Sequence, residues 1–196
     1  MIIKAKRSDK GRVVELLSLS FKDNLGVRYL TGDSGSAVLG RLMEYAFEVC
    51  FRFGKVWLTE KKDGCALVVY PHLKSFSIWS LWLDVKLLGG VIGLFRFAKV
   101  LRREKLVNRQ HPPVPFCYLW FIGVNPWVHG HGIGSELLKE VVMEADFEGI
   151  PVYLETSTLK NVTWYQKRGF VVFQTLDMGY PLFFLKRDPD SDKALI

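Results

Sequence analysis

The stretch of residues 127–142, WVHGHGIGSELLKEVV, places three glycines within five residues, directly before a pattern typical of a helix. Gly130, Gly132 and Gly134 carry no side chain, so a ligand can approach their backbone closely, and glycine tolerates the dihedral angles of an anion-binding turn. The first N–H groups of a helix lack acceptors within it, and the helix dipole is positive at that end. The stretch therefore predicts an anion site, with phosphate or pyrophosphate as the expected ligand.

Two other phosphate-binding motifs share some of these glycines and differ in detail. A P-loop requires lysine followed by serine or threonine after its glycines, and the chain lacks this pair there. A dinucleotide-binding motif requires glycine at the position of Ser135 and an acidic residue further on, for which only Glu155 is available. The glycines also fit a tight strand-to-helix turn without a ligand. By themselves they leave the identity of the ligand open.

The second half of the chain alternates between strand and helix patterns. Residues 116–124 are apolar on both alternating faces, which predicts a strand in the middle of a sheet. Residues 132–149 place their apolar side chains on one face and their charged side chains largely on the other, as in an amphipathic helix. The patterns that follow predict a strand, a short helix ended by Gly169 and two final strands, at residues 150–156, 160–169, 170–176 and 180–187.

The first half of the chain has the same alternating character. Its patterns predict a strand, a helix capped by Ser8, a loop, a second helix and a β-hairpin, at residues 1–5, 9–21, 22–35, 36–53 and 55–71. Residues 76–101 are strongly apolar, but Asp84, Lys86, Arg96 and Lys99 interrupt them before a membrane-spanning length is reached. We expect a buried or groove-lining pair of helices there.

Composition and charge limit the classes of protein and of partner. With 196 residues and 49% hydrophobic content, the chain predicts one folded domain at residues 1–187 and a frayed tail at 188–196. Three cysteines without metal-ligand spacing, and no secretory signal, favour a reducing, cytoplasmic location. The net charge of +7 suits an anionic partner. However, the densest basic cluster, at residues 99–105, fits a helix C-terminus better than a nucleic-acid surface, so we expect neither a nucleic-acid nor a membrane partner.

Three segments in combination resemble the GNAT superfamily of acyl-CoA-dependent N-acyltransferases. They are FIGVNP (121–126), HGHGIG (129–134) and NVTWYQKRGF (161–170), and His129 stands where the family loop usually has Gln or Arg. The resemblance covers residues 116–170 and is closest to the puromycin N-acetyltransferase type. It implies an α/β (mixed α+β) GNAT-type fold, with a central mixed twisted sheet of about seven strands flanked by helices, in a monomer or homodimer.

The resemblance also implies acetyl-CoA as cosubstrate and assigns roles to residues. Pantetheine would lie beside the central strand, Asn161 would bind the pantetheine arm, and Tyr165 would protonate the leaving thiolate. The implied cofactor-binding residues are Ile122, Gly123, Val124, His129, Gly130, His131, Gly132, Ile133, Gly134, Ser135 and Asn161. A glycine within a strand, as at Gly123, is equally typical of close packing.

The implied reaction is direct transfer of an acetyl group from acetyl-CoA to the primary amine of a small-molecule or peptide acceptor. Glu155 is the only carboxylate on the strand next to the presumed cleft and is the candidate base, although a hydrogen-bonded structural glutamate fits the sequence as well. Puromycin-type relatives often have a histidine at the start of the central strand, where this chain has Phe116 and Cys117. The sequence therefore identifies neither the general base nor the amine acceptor.

Other classes of function remain as alternatives. A catalytically silent acyl-CoA-binding regulatory module would keep the glycine loop without turnover, and a basic nucleic-acid-binding domain would not need the loop. A metal centre at His129 and His131 lacks further ligands nearby, so no metal is expected. Cys117 fits a small apolar strand residue better than a nucleophile. We expect an aromatic acceptor pocket for an apolar amine, built from residues 21–35, Trp79 and Trp82.

Overall fold

The computed structural model describes residues 1–31, 35–73, 102–128 and 130–190. Several sequence predictions fall outside these ranges: the apolar helices at 76–101, the pocket tryptophans Trp79 and Trp82, the loop residue His129, and residues 191–196 of the tail.

A seven-stranded mixed sheet forms the centre of the protein, in the order β1-β2-β3-β4-β5-β7-β6. The strands are β1 (Ile2–Lys4), β2 (Gly54–Thr59), β3 (Gly64–Val69), β4 (Cys117–Val124), β5 (Val152–Thr156), β6 (Val171–Asp177) and β7 (Pro181–Arg187). Neighbours pair antiparallel except β4 and β5, which run parallel. The prediction that residues 116–124 form the central strand is confirmed, because β4 is fourth of seven.

Helices pack on both faces of this sheet. They are α1 (Lys10–Phe21), α2 (Leu25–Thr31), α3 (Gly35–Phe53), α4 (102–108), α5 (Ile133–Glu148) and α6 (Leu159–Gln166). One core cluster joins α1 and α3 to the sheet, and a second joins α5 and α6 to its other face. Within the described ranges, no helix has both the length and the apolar character required to cross a membrane.

The predicted cap of the first helix was wrong. Ser8 lies in a 3-10 turn, Arg7–Asp9, and α1 begins only at Lys10. The Asp9 carboxylate accepts the backbone N–H of Lys6 at 2.8 Å and so closes the turn before the helix. The sequence pattern predicted that Ser8 caps the helix. The side chain of the neighbouring Asp9 instead makes the hydrogen bond that precedes it.

The predicted loop at residues 22–35 was also wrong in part, because it contains α2. The side chain of Asn24 accepts the N–H of Val27 at 3.1 Å, and its carbonyl oxygen accepts the N–H of Arg28 at 2.8 Å. Asparagine is a strong helix-capping residue. The Gly and Asp content of the segment concealed a short helix that Asn24 starts.

The sheet opens between β4 and β5. These strands pair at only two positions, Cys117 with Val152 and Tyr118 with Tyr153. β4 nevertheless continues to Val124 beside β3, and β5 continues to Thr156 beside β7. The carboxyl ends of the two parallel strands therefore leave an edge of β4 without a strand partner among the described residues. Openings of this kind, at the carboxyl ends of parallel strands, are where open α/β sheets bind their ligands.

A β-bulge at Trp120 changes which backbone groups of β4 face this opening. The register with β3 passes from Leu119 directly to Phe121, so Trp120 is the extra residue. The N–H of Cys117 donates to Pro151 on the β5 side, whereas the N–H of Asn125 donates to Asp63 on the β3 side. These residues are an even number of positions apart and would face the same way in a regular strand. One extra residue reverses the alternation, so the backbone groups beyond the bulge that face the opening belong to Ile122 and Val124.

The start of the predicted tail packs against α5. The Asp146 carboxylate on α5 accepts hydrogen bonds from Arg187 at 2.6 and 3.1 Å, and also from the backbone N–H of Asp190 at 3.0 Å. Asp146 is only 1% exposed, so the ion pair is largely shielded from water. Residues 188–190 are held at the surface through this buried carboxylate.

Candidate active site

The glycine-rich loop lies directly after β4 and leads into α5. Gly130 and Gly132 have positive φ angles of 91° and 79°, and Gly132 occupies the N-cap of α5. A Cβ atom at either glycine would meet no atom of the described residues within 4 Å. Their positive φ angles therefore explain why these two residues are glycines, and close packing does not.

Five successive backbone N–H groups in this loop have no acceptor within the part of the chain that the structure describes. They belong to Gly130, His131, Gly132, Ile133 and Gly134. The N–H groups of Ser135 and Glu136 instead donate to the Gly132 carbonyl oxygen, at 2.8 and 3.1 Å. An exposed row of unpaired N–H groups at a helix N-terminus is a site for an anion, and the Ser135 N–H is already used by the helix.

Arg168 adds a positive charge beside this loop. Its guanidinium donates to the Ser135 hydroxyl at 2.6 Å and to the Trp164 carbonyl oxygen at 2.7 Å, and it lies 4.2 Å from the Trp164 ring centre. The Trp164 ring also lies 3.7 Å from the position a Gly134 Cβ would occupy. The cation is therefore held in place at the first turn of α5, where it increases the attraction for an anion.

Packing accounts for the glycine in β4. A Cβ atom at Gly123 would lie 3.0 Å from the Ser20 hydroxyl and 3.1 Å from a Leu17 methyl carbon, both on α1. The Ser20 hydroxyl donates to the Val124 carbonyl oxygen at 2.9 Å, which fixes α1 close to the strand. Gly123 thus lets α1 approach, and its own backbone groups face β3 rather than the opening.

Tyr165 and Asn161 lie one helical turn apart on α6, at the other side of the opening. Tyr165 is 6% exposed and packs edge to face against Trp164 and Phe170, with ring centres 4.8 and 5.4 Å away. Burial raises the pKa of the Tyr165 hydroxyl, so the group keeps its proton at neutral pH. The exposed Asn161 donates to the Thr156 hydroxyl at the end of β5, at 3.4 Å. The helix therefore carries a buried phenol, that of Tyr165, and an exposed amide, that of Asn161.

Glu155 is buried and hydrogen-bonded on β5, two residues beyond the last residue that pairs with β4. Its side chain is 6% exposed. It accepts a hydrogen bond of 2.5 Å from the Tyr118 hydroxyl, and one carboxylate oxygen lies 3.3 Å from His111 Nε2. The carboxylate therefore lies where the sheet opens, within a set of polar side chains.

Glu155 and Tyr165 lie on opposite faces of the sheet at this opening. Tyr118, which bonds Glu155, belongs to the core cluster of α1 and α3, whereas Tyr165 belongs to the cluster of α5 and α6. A carboxylate on one side and a phenol on the other can take a proton from one reactant and give a proton to another. The arrangement suits a transfer between two molecules that meet in the opening.

Cys117 lies near this site but is unsuited to nucleophilic chemistry. The residue is 1% exposed, and burial raises the pKa of its thiol to about 12. A thiol needs its ionised form to act as a nucleophile. Across the described ranges no three His, Cys, Asp or Glu side chains come together as a metal site.

Three of the polar residues that the fold brings to these sites were not predicted from the sequence. His111 and Tyr118 reach Glu155 from outside β5, and Arg168 reaches the glycine loop from the turn after α6. Only Arg168 left a detectable signal, because a cation four residues after a tryptophan on a helix predicts a stacked pair. The contacts of His111 and Tyr118 depend on chain segments far apart in sequence.

An opened sheet and a glycine loop that favours phosphate are features suited to binding a phosphate-containing ligand. The chain belongs to the acetyltransferase (GNAT) family, whose sequence profile matches residues 65–170, more than half of the protein. The GNAT fold predicted from the three motif segments, with its seven-stranded mixed sheet between helices, is confirmed. The family supports an N-acetyltransferase activity.

Individual relatives share the fold with varying sequence similarity. An uncharacterized N-acetyltransferase of Schizosaccharomyces pombe is 32% identical over 80 residues, which are 38% of this chain and 32% of the yeast protein. A histone acetyltransferase HPA2 and related acetyltransferase from Corynebacterium glutamicum has a TM-score of 0.70 and 23% identity, covering 97% of this chain and 96% of that one. Arylalkylamine N-acetyltransferase 2 from Aedes aegypti has a TM-score of 0.68 and 11% identity, covering 97% and 99%.

Proposed function

We propose that the protein transfers an acetyl group from acetyl-CoA directly to the primary amine of a small molecule. The observation that carries this proposal is the row of N–H groups from Gly130 to Gly134 that have no acceptor among the described residues, at the end of the strand beside which the sheet opens. Acetyl-CoA has a pyrophosphate joined to an extended arm, and the loop and the edge of β4 that faces the opening offer complementary surfaces to both parts. The finer resemblance to the puromycin N-acetyltransferase type remains a prediction from the motif segments.

The donor would lie along β4 with its pyrophosphate at the loop. Ile122 directs its backbone groups to the opening and would exchange hydrogen bonds with the pantetheine amides, and Val124, whose carbonyl oxygen also accepts the Ser20 hydroxyl at 2.9 Å, is proposed to line the same arm. Asn161 of α6, which is exposed and donates to Thr156 at the end of β5, would bind the same arm from the other side. His129, at the position of the family's Gln or Arg, is proposed to contribute its backbone N–H to the phosphate.

The chemical step needs a neutral amine, a stabilised oxyanion and a protonated leaving group. The amine nitrogen attacks the thioester carbonyl carbon, the carbon–sulfur bond breaks, and sulfur leaves with the electron pair and takes the Tyr165 proton. Backbone N–H groups of β4 beyond the bulge at Trp120 would donate to the developing oxyanion. Removal of the amine proton requires a base, and the acceptor side carries the Glu155 carboxylate with its partners His111 and Tyr118.

The acceptor side of the sheet is rich in aromatic rings, which favours an apolar or aromatic amine. Trp120 lies 6.0 Å from Tyr45 and 6.5 Å from Tyr118, and the Phe116 ring lies 5.2 Å from that of Tyr153. Aromatic surfaces bind apolar groups and attract cationic amines. The structurally similar Aedes aegypti protein is named for arylalkylamines, which is consistent with this acceptor class.

An assay of CoA release with purified protein, acetyl-CoA and a panel of amines tests the proposal. We expect turnover with one or more arylalkylamines and much less with polar diamines or a lysine peptide. Acetyl-CoA binding without release of CoA for any amine would instead support the silent regulatory module. Mass spectrometry of the product should show the acetyl group on nitrogen.

Arg168→Met is expected to weaken acetyl-CoA binding by about tenfold, or ~1.4 kcal/mol. The substitution keeps much of the apolar stem beside Trp164 but removes the charge next to the Ser135 hydroxyl. Lys167→Met is the matched control, because it removes the same charge one residue earlier, at an exposed position. Calorimetric titration measures both. Equal dissociation constants for the two variants would contradict a specific role of Arg168 in phosphate binding.

A further inference from the structure

A cluster of buried polar side chains surrounds Glu155 on the acceptor side of the opening. Its members come from three separate parts of the chain: Tyr118 from β4, His111 from the segment before β4, and Arg103 from α4. The side chains of His111 and Arg103 are each 12% exposed, and that of Glu155 is 6% exposed. The His111 backbone N–H donates to the Asn108 carbonyl oxygen at 3.3 Å, which ties the histidine to the end of α4.

The hydrogen bonds of this cluster determine which nitrogen of His111 is free. An ionised carboxylate only accepts hydrogen bonds. Tyr118 donates to one oxygen of Glu155 at 2.5 Å, so His111 Nε2, at 3.3 Å from the other oxygen, acts as a donor as well. In the neutral ring Nδ1 then carries a lone pair, and in the part of the chain that the structure describes it has no hydrogen-bond partner.

The charge of Glu155 affects the pKa of two neighbouring groups. Burial opposes the charge of Arg103, yet the negative charges of Glu155, Tyr118, Tyr180 and Glu104 raise the pKa of Arg103. Burial, followed by the charge of Glu155, raises the pKa of Tyr118, so that the phenol keeps the proton that it donates. A carboxylate with two donors and a neighbouring guanidinium is suited to hold a histidine in one orientation.

We propose that His111 is the general base of the reaction, and that Glu155 is a positioning residue that acts through it. This assignment rests on the proposed function. The amine N–H proton passes to His111 Nδ1 while the nitrogen bonds to the thioester carbonyl carbon and sulfur leaves with the proton of Tyr165. The carboxylate of Glu155 then stabilises the imidazolium that forms, and solvent afterwards takes the His111 proton and restores that of Tyr165.

Among the described residues, the ionisable side chains that contact His111 are Glu155 of β5 and Tyr118 of β4. Arg103 of α4 interacts with Glu155 through its charge and pairs with Glu104 at 3.8 Å. The Phe116 ring lies 5.0 Å from the imidazole and shields it from water.

Steady-state acetylation of the best amine by His111→Gln tests the assignment. Glutamine keeps an N–H that can donate to Glu155 but has no basic nitrogen. We expect kcat/KM to fall by about 100-fold or more, with an unchanged dissociation constant for acetyl-CoA and loss of the acidic limb of the pH profile. His111→Ala should behave likewise and regain activity with added imidazole. Glu155→Gln should lower kcat/KM by a smaller factor and should retain the acidic limb of the pH profile. His72→Gln, at an exposed histidine, serves as control.

The outcomes separate this proposal from the proposed function. Wild-type turnover is measured first, and a wild-type protein that acetylates no amine would overturn both. If the wild type is active and His111→Gln keeps its rate and its acidic limb, His111 is not the base, while the acetyltransferase function stands. If Glu155→Gln alone removes the limb, Glu155 is the base and the role given to His111 is overturned. Thermal unfolding of each variant confirms that the protein is folded.

Discussion

Tyr165→Phe is expected to lower kcat by about 100-fold or more, while the dissociation constant for acetyl-CoA stays the same. The variant loses only a hydroxyl, which has no hydrogen-bond partner within the described ranges, and keeps the ring that packs against Trp164 and Phe170. The loss should therefore fall on the step in which the thiolate leaves, and folding should be unaffected. Stopped-flow or steady-state measurement of CoA release at saturating amine gives kcat directly.

The pH dependence of kcat provides a second test of the role of Tyr165. Tyrosine has an ordinary pKa of 10.0, and burial raises the pKa of Tyr165 further. The phenol therefore stays protonated across the neutral and mildly alkaline range, and we expect it to cause no alkaline limb in kcat below about pH 10. A limb at lower pH that disappears in Tyr165→Phe would contradict this description of its environment.

Tyr70→Phe is the matched control for Tyr165→Phe. Tyr70 belongs to the same core cluster, is 4% exposed, and likewise has its pKa raised by burial. Its ring lies 5.4 Å from Lys55 Nζ, which is 3.2 Å from Glu148 at the end of α5 far from the glycine loop. We expect wild-type kcat for this variant. A similar fall in both variants would show that loss of any buried hydroxyl in this cluster slows the enzyme.

Gly132→Ala is expected to weaken acetyl-CoA binding by about 30-fold, or ~2 kcal/mol. Gly132 has φ 79° at the N-cap of α5, and a Cβ atom there would project into open space beside the unpaired N–H groups. A methyl group at that position would occupy space that a bound phosphate needs, and it would favour a different backbone angle. Both effects act on the loop that we assign to pyrophosphate.

Gly149→Ala separates this binding effect from the cost in stability. Gly149 caps the other end of the same helix with φ 66°, and a Cβ atom there also meets nothing within 4 Å. Both substitutions should lower the free energy of unfolding by about 1–2 kcal/mol, because alanine disfavours positive φ. Only Gly132→Ala should weaken acetyl-CoA binding. Equal binding by the two variants would contradict the assignment of the loop.

Local sequence patterns predicted much of the framework of the site. The run of apolar residues from 116 to 124 predicted the central strand, and the periodicity of 132–149 predicted α5, since these patterns report burial directly. The position of the glycine loop was then predictable, because the loop lies between these two elements in the sequence. The motif segments added Asn161 and Tyr165 on one helix, and the structure places them one turn apart on α6.

Contacts between distant segments account for what the sequence did not predict. The insertion of β7 between β5 and β6, and the short pairing of β4 with β5, depend on strand register across the sheet. The bulge at Trp120 has no local signal, because an extra apolar residue in a buried strand leaves its composition unchanged. His111 lies in a proline-rich segment that predicts only a break, and its role is visible only once β5 brings Glu155 to it.

Calorimetric titration of the purified protein with acetyl-CoA tests the central claim most directly, with desulfo-CoA and ATP as comparison ligands. We expect saturable binding of acetyl-CoA and desulfo-CoA at one site, with a dissociation constant in the micromolar range, about −8 kcal/mol, and much weaker binding of ATP. Such a result would establish the cosubstrate and justify the amine panel. A folded protein that binds neither CoA compound would contradict the account of the glycine loop and of the opening beside β4.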